Sequence, residues 1–240
     1  MRPAIQLYTL RALDEPLPDL LARVGDTAFE GVEFAGLGDS TPEAVRDALD
    51  DAGLDAAAAH VGIDALDADL DAAVETYRTL DCDRIVVPWL DESHFTSRES
   101  VAGVARRLAE LDARLGDRGV SLAYHNHDHE FVEVGATTGF DILVEETDLD
   151  FELDAGWATA AGRDPIDLLS DLRGRVPLVH LKDVSGETPV ELGDGDLDAG
   201  GCVRAAREAD AEWVVYEHDD PEDPEASLAR GAETLAELLG

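Results

Sequence analysis

Short apolar runs alternate with amphipathic stretches along the whole chain. Strand-like runs fall at Ala4–Tyr8, Gly31–Ala35, Asp55–Val61, Arg84–Trp89, Val120–His127, Asp150–Asp154, Pro177–Asp183 and Glu212–His218. Between them, apolar positions recur at helical spacing over Pro16–Phe29, Thr41–Ala52, Ala65–Leu80, Ser97–Leu115, Gly139–Glu146, Pro165–Leu172, Ala199–Ala209 and Pro224–Leu239. Several of these stretches open on helix-start chemistry, as in Ser40-Thr41-Pro42-Glu43 and Asp164-Pro165, and Gly53, Gly119 and Gly174 stand where helix C-caps are expected. A strand-then-helix unit repeating at roughly 30 residues is the mark of βα architecture. Eight such units without a composition break predict an α/β fold, a single (β/α)8 TIM barrel over residues 1–240. An open doubly wound sheet is the main alternative, but it uses fewer strands, and no G-x-G-x-x-G follows the first strand.

Composition adds the setting. The chain carries 55 acidic against 18 basic residues, a formal charge of −37, and Lys182 is the only lysine. The acidic residues are spread throughout rather than gathered in a tail, as a solvated surface layer would be. A dense carboxylate surface with almost no lysine suits high intracellular salt, which screens self-repulsion, so a halophilic source is expected. No apolar run approaches the roughly 18 residues of a membrane span. Met1–Leu7 enters a strand at once without signal-peptide organisation, so no membrane partner and a cytoplasmic location are expected. Cys82 and Cys202 form no metal-spaced cluster and read as buried thiols.

In such a barrel, active sites are built at the C-terminal ends of the strands. Ionisable residues crowd those ends here: Glu33, His60, His125, His127, Glu152, Asp154, His180, Lys182, Glu217 and His218. Buried charges are expensive unless paired or bound to metal. Strand alternation puts His125 with His127, Glu152 with Asp154, and His180 with Lys182 on shared faces. A set drawn from Asp154, His180, Glu217 and one of the fifth-strand histidines offers mixed nitrogen and oxygen ligands. Such a set suits a divalent metal ion, Mn²⁺, Zn²⁺ or Co²⁺ more than Mg²⁺. Lys182, retained where every other strong base is arginine, points to proton transfer or to pairing with an oxyanion. Trp89 and Trp157 are candidate apolar walls for a sugar ring, or barrel plugs.

An ordered set of motifs runs over essentially the whole chain: Ile5-Gln6-Leu7-Tyr8-Thr9-Leu10-Arg11, Gly31-Val32-Glu33-Phe34-Ala35-Gly36, Ala59-His60-Val61-Gly62, Tyr124-His125-Asn126-His127, Glu152-Leu153-Asp154, His180-Leu181-Lys182-Asp183 and Tyr216-Glu217. Together they resemble the xylose-isomerase-like TIM barrels, the sugar phosphate isomerase/epimerase family. The resemblance implies a divalent metal held by His125, Asp154, His180 and Glu217. It also implies that Glu33 and His60 line the substrate pocket, and Gln6 and Trp157 complete the expected substrate contacts. Many epimerases of the family carry Glu at the strand-five position. Here His125 stands there, in a Tyr-His-Asn-His stretch closer to the inosose-dehydratase-like branch, and Trp157 stands where several relatives have His. The strand-five ligand is accordingly His125 or His127.

The expected chemistry is proton transfer next to a carbonyl of a small polyhydroxylated substrate, by a metal-dependent sugar isomerase/epimerase, with Glu217, His127 and Lys182 as the catalytic groups. Dehydration of a keto-sugar or inosose by a lyase is the runner-up. No glycine-rich phosphate loop is present, and Gly193-Asp194-Gly195-Asp196 is acidic, so an unphosphorylated substrate is expected. An endonuclease IV-like repair nuclease and a non-catalytic sugar-binding barrel are the remaining readings. The charge and the scarcity of arginine near the strand ends argue against a nucleic-acid partner. The sequence is compatible with a homo-oligomer.

Overall fold

Eight parallel strands pair in sequence order and close on themselves in the computed structural model, which describes residues 1–240. They are β1 (Arg2–Gln6), β2 (Gly31–Phe34), β3 (Asp55–His60), β4 (Arg84–Val87), β5 (Ser121–His125), β6 (Asp150–Asp154), β7 (Leu178–Leu181) and β8 (Trp213–Tyr216). Closure is made by β1 against β8, with Arg2–Ile5 opposite Trp213–Tyr216. Helices follow each strand and cover the outside, so the fold is the expected (β/α)8 TIM barrel. No helix is long and apolar enough to cross a membrane.

Local chemistry shortens several predicted elements. The first strand stops at Gln6, whose side chain accepts the Tyr8 N–H and starts a 3-10 turn over Leu7–Leu10. The fourth stops at Val87, before Pro88, which has no N–H to give to a ladder. The fifth spans Ser121–His125, which leaves His127 beyond the strand. The stretch predicted as one helix over Ala65–Leu80 is two, Ile63–Ala68 and Leu70–Thr79. Asp69 takes a non-helical conformation between them and caps the second by accepting the Ala72 N–H. Two short hairpins, Glu133–Val134 with Thr137–Thr138 and Asp183–Ser185 with Thr188–Val190, were not anticipated, nor was the helix Ala155–Ala160. Of the three glycines expected as helix caps, Gly53 is the left-handed C-cap of its helix, whereas Gly119 and Gly174, also at positive φ, lie two residues past the C-caps Asp117 and Leu172.

The barrel interior changes character along its axis. Ala4, Ala58, Val86, Ala123, Leu178, Trp213 and Val215 form an apolar cluster inside it, separate from the larger core of 58 buried residues that includes the helix-covered side. Trp213 packs against Gly31, where a Cβ would lie 2.7 Å from the indole ring. Because side chains alternate along a strand, the positions that carry this cluster continue upward into Gln6, Glu33, His60, His125, Glu152, Asp154, His180, Lys182 and Glu217. The upper barrel is thus filled by ionisable groups, nearly all of them buried.

Candidate active site

Neighbouring strands fix the ends of β5 and β6 to each other. The Asn126 side chain accepts the Asp154 N–H at 3.0 Å and donates to the Asp154 carbonyl at 3.3 Å, extending the ladder by one rung after β5 ends. The Asp154 carboxylate is divided between two tasks. Its Oδ1 accepts the Trp157 N–H at 2.8 Å as the cap of helix Ala155–Ala160, and its Oδ2 is directed at the barrel axis. There Oδ2 lies 3.3 Å from His125 Nε2 and 3.2 Å from Lys182 Nζ.

The helix after β6 passes directly over β7. A Cβ on Gly156 would lie 2.4 Å from the Lys182 carbonyl oxygen and 3.0 Å from the Lys182 Cβ, backbone contacts that cannot swing aside. Gly156→Ala is therefore expected to lower stability by about 1–3 kcal/mol, the usual cost of overpacking. Urea unfolding would read this as a lower midpoint, and an unchanged midpoint would reject the close packing.

His180 stands at the centre. Its Nδ1 lies 3.1 Å from Glu217 Oε2 and 4.0 Å from Asp154 Oδ2, while its Nε2 lies 2.7 Å from Glu33 Oε2 and 3.3 Å from Glu152 Oε2. His60 Nε2 faces the same two carboxylates, 2.7 Å from Glu152 and 3.3 Å from Glu33. Lys182 Nζ is ringed by Asp154, Glu217 (2.9 Å) and Asp219 (2.8 Å), with the Trp157 ring 4.8 Å away.

These placements set the protonation states. Burial opposes the charge on His60, but the Glu33 and Glu152 carboxylates outweigh it and raise the imidazole pKa to about 10. Burial likewise opposes the charge on Lys182, and Asp154, Glu217 and Asp219 more than compensate, holding the ammonium. Glu217 stays ionised despite burial because Lys182 and His180 lie against it. His127 goes the other way: burial, His125 and Lys182 push it down to about 2, so it is a neutral imidazole.

The chain's residues fit a divalent cation. One potential ligand atom each from His125, Asp154, His180 and Glu217 all lie within 4.8 Å of one another. His125 Nε2 and Asp154 Oδ2 are buried without a hydrogen bond of acceptable geometry. Leaving such atoms unsatisfied costs about 1–3 kcal/mol each, and a metal between them removes that cost. The set of two imidazoles and two carboxylates is the mixed nitrogen and oxygen kind that Mn²⁺, Co²⁺ and Zn²⁺ accept. Five carboxyl groups crowd here, Asp154, Glu217 and Asp219 around the Lys182 ammonium and Glu33 and Glu152 around the His60 and His180 rings, and they outnumber these three basic groups, so a further positive charge is electrostatically welcome.

Above this floor opens a cavity of about 380 Å³ whose walls include Tyr8, Trp89, His60, His127, Lys182 and Asp219. Of the residues expected to meet substrate, His60 lines it. Gln6 and Glu33 lie fully buried beneath it, and Trp157 packs behind Lys182 and His127, 5.9 Å from the His127 ring. Trp89 is half exposed at the rim. His127 sits in the turn after β5 with Nδ1 buried and unpaired. It is held there by Glu130, which accepts its N–H at 2.7 Å. His129 turns away to the Leu90 carbonyl at 2.9 Å.

Three contributors escaped sequence reasoning. Glu152 was visible as one of the crowded carboxylates but was given no role. Asp219 follows Glu217 at strand spacing, yet in so acidic a chain His218-Asp219-Asp220 looks like solvated loop. Tyr8 belongs to the turn after β1, where only Gln6 drew attention.

The loop after β7 has its own organisation. Asp183 accepts four backbone N–H groups, from Val184 (2.9 Å), Gly193 (2.9 Å), Gly195 (3.0 Å) and Leu197 (3.0 Å). Gly195 is required by this wrapping, since a Cβ there would lie 2.3 Å from Asp183 Oδ1. The Gly193–Asp196 segment is thus built around a carboxylate of the chain itself.

Comparison with known proteins agrees with this architecture. A family model described as xylose isomerase-like TIM barrel matches residues 18–238. The rhizopine catabolism protein MocC of Rhizobium meliloti is 27% identical over 203 residues, 77% of this chain and 62% of that protein. An inosose dehydratase of Clostridium perfringens is 28% identical over 133 residues, 46% of this chain and 44% of that protein. The chain spans less than two thirds of the length of these relatives. Among solved structures, a sugar phosphate isomerase/epimerase from Parabacteroides distasonis superposes with a TM-score of 0.86 over 98% of both chains at 17% identity, a likeness of fold.

Proposed function

This chain belongs to the xylose isomerase-like TIM barrel family, and from that premise we propose that it is a metal-dependent sugar isomerase or epimerase that moves a proton next to the carbonyl of a small polyhydroxylated substrate. The observation that carries the reading is the convergence of His125, Asp154, His180 and Glu217 within 4.8 Å at the floor of the cavity. Bound by those four, a divalent ion would supply Lewis-acid polarisation of the carbonyl, on the order of several kcal/mol of charge stabilisation.

The remaining work falls to the chain. Both charged contacts of Glu217, to Lys182 and His180, fall on Oε2. That leaves Oε1 to take the proton from the carbon beside the carbonyl. The Lys182 ammonium, at the cavity wall, pairs with the oxygen on which negative charge develops. His127, a neutral imidazole whose ring lines the cavity, hydrogen-bonds a substrate hydroxyl and passes a proton on without holding a second one. Return of the proton to the opposite face gives the epimer, and return to the neighbouring carbon gives the isomer. Tyr8 and Trp89, 42% and 50% exposed at the rim, offer apolar faces to a sugar ring.

A second reading is dehydration, in which the β-hydroxyl leaves as water after the same proton abstraction. The Tyr124–His127 stretch and the similarity to an inosose dehydratase favour it. Both readings take an unphosphorylated substrate, because the lone ammonium at the mouth already faces three carboxylates and the loop after β7 encloses one of its own. The same shortage of cations weighs against a nucleic-acid backbone.

The test is NMR of metal-loaded protein in molar KCl with a panel of ketoses, keto-sugars and inososes in D₂O. Deuterium is expected to enter next to a carbonyl, and the product distinguishes the epimer from the dehydrated compound. Absence of exchange across the panel would reject proton transfer at this site.

A further inference from the structure

His180 has carboxylates against both ring nitrogens, and the two sides are not equivalent. Nδ1 faces Glu217 Oε2 and Asp154 Oδ2, the oxygens of the proposed metal set. Nε2 faces away from that set, 2.7 Å from Glu33 Oε2. The Glu33 carboxylate is itself fixed from the first strand. The Gln6 side chain accepts the Tyr8 N–H through Oε1 at 3.0 Å, which settles the orientation of its amide, and Nε2 then donates to Glu33 Oε2 at 2.8 Å. Gln6, Glu33 and His180 are all 0% exposed, so bulk solvent does not compete for these bonds.

An imidazole that coordinates through Nδ1 must carry its proton on Nε2. A buried carboxylate at 2.7 Å accepts that proton, orients the ring and makes the coordinating nitrogen a stronger donor. We propose that Glu33, held by Gln6, is the positioning residue for His180, and that it acts on the metal through this ring rather than on the substrate. The inference rests on the metal reading above and gives two residues that were expected to touch substrate a different task. Glu33 lies beneath the cavity floor, consistent with acting at one remove.

The competing arrangement is a second ion. Glu33, His60, Glu152 and His180 also place ligand atoms within 4.8 Å of one another, and Glu33 Oε1 and Glu152 Oε1 are buried without a hydrogen bond. The bonded distances favour positioning: the Nε2 of each of these two imidazoles already has a carboxylate oxygen at 2.7 Å, an ordinary charge-assisted hydrogen bond.

The deciding experiment is Mn²⁺ titration calorimetry with the Co²⁺ visible spectrum, on wild type and Glu33→Gln, in molar KCl. The amide keeps the shape and can still accept the Nε2 proton, but it removes the charge. Wild type is expected to bind one Mn²⁺ per chain, and Glu33→Gln to bind it about 10–100-fold more weakly with a shifted Co²⁺ band. If Glu33→Gln does not fold by circular dichroism, Gln6→Met tests the same contact from the other side, with a smaller weakening and a shift in the same direction. Wild-type affinity and an unshifted band in the folded variant would overturn the inference. So would two ions in wild type and one in Glu33→Gln, which would make Glu33 a ligand. No ion in wild type would overturn the metal reading together with this one.

Discussion

His180→Ala is expected to strip the divalent ion from the protein and to lower turnover about a thousandfold or more, the rate equivalent of roughly 4 kcal/mol. No other side chain in the site touches as many of its members: the ring contacts Glu33, Glu152, Asp154 and Glu217. Its loss takes one ligand and leaves four carboxylates with less positive charge among them. The remaining triad of His125, Asp154 and Glu217 comes from three different strands and loses the group that spaces Asp154 from Glu217. Elemental analysis of wild type and variant, prepared side by side, reads the result directly. Near-stoichiometric metal in wild type and almost none in the variant is the expected outcome. Equal metal content in the two would remove His180 from the ligand set, and the similarly sized His180→Gln, with its fold checked by circular dichroism, would separate ligand loss from collapse of the barrel floor.

The second large effect concerns the surface. The arginines are mostly engaged in exposed pairs, such as Arg2 with Glu30 and Asp55, Arg23 with Glu15 and Glu225, and Arg107 with Asp64 and Asp67. Exposed pairs contribute little each, about 0–1 kcal/mol. Carboxylates nonetheless outnumber basic residues by 37, and their mutual repulsion acts over about 10 Å at 0.1 M salt but about 3 Å at 1 M. Screening therefore weakens a few modest attractions and a much larger repulsion. The melting temperature is expected to rise by about 10 °C or more between 0.1 and 2 M KCl, since a gain of 1 kcal/mol moves a domain of this size by about 2–4 °C. Calorimetric scans in KCl test this without the strong surface exclusion that sulfate would add. A flat or falling melting temperature would remove the case for a salt-adapted surface.

The barrel was legible because its signal is periodic and repeated. Each strand reads as a short apolar run and each covering helix as a 3.6-residue pattern, so errors of a few residues at the ends leave the architecture intact. The side chains of the site were legible for a related reason. His125, Asp154, His180 and Glu217 are ionisable residues at the ends of apolar strands, and alternation turns them all inward. Less visible was depth. Sequence places Gln6, Glu33 and His60 at equivalent strand ends, yet only His60 reaches the cavity wall, because Gln6 and Glu33 are tied to each other and to His180 in the buried layer beneath it. Hydrogen bonds that lock a single rung, such as Asn126 to Asp154, leave no periodic trace. Helix Ala155–Ala160 was missed because Ala-Gly-Trp-Ala-Thr-Ala has no amphipathic pattern, and its one clue, the Asp154 cap, had already been claimed as a ligand.

Asp183 carries a consequence for how this fold could change its preferences. A carboxylate tethered within the chain is present at its four N–H partners at an effective concentration of the kind only intramolecular groups reach, far above any free metabolite. An incoming phosphate would have to evict it, against both that concentration and the turn it organises. A lineage moving toward phosphorylated substrates would thus have to replace residue 183 and also rebuild the turn that its carboxylate now organises. Until then the loop behaves as a lock with its key cast in place.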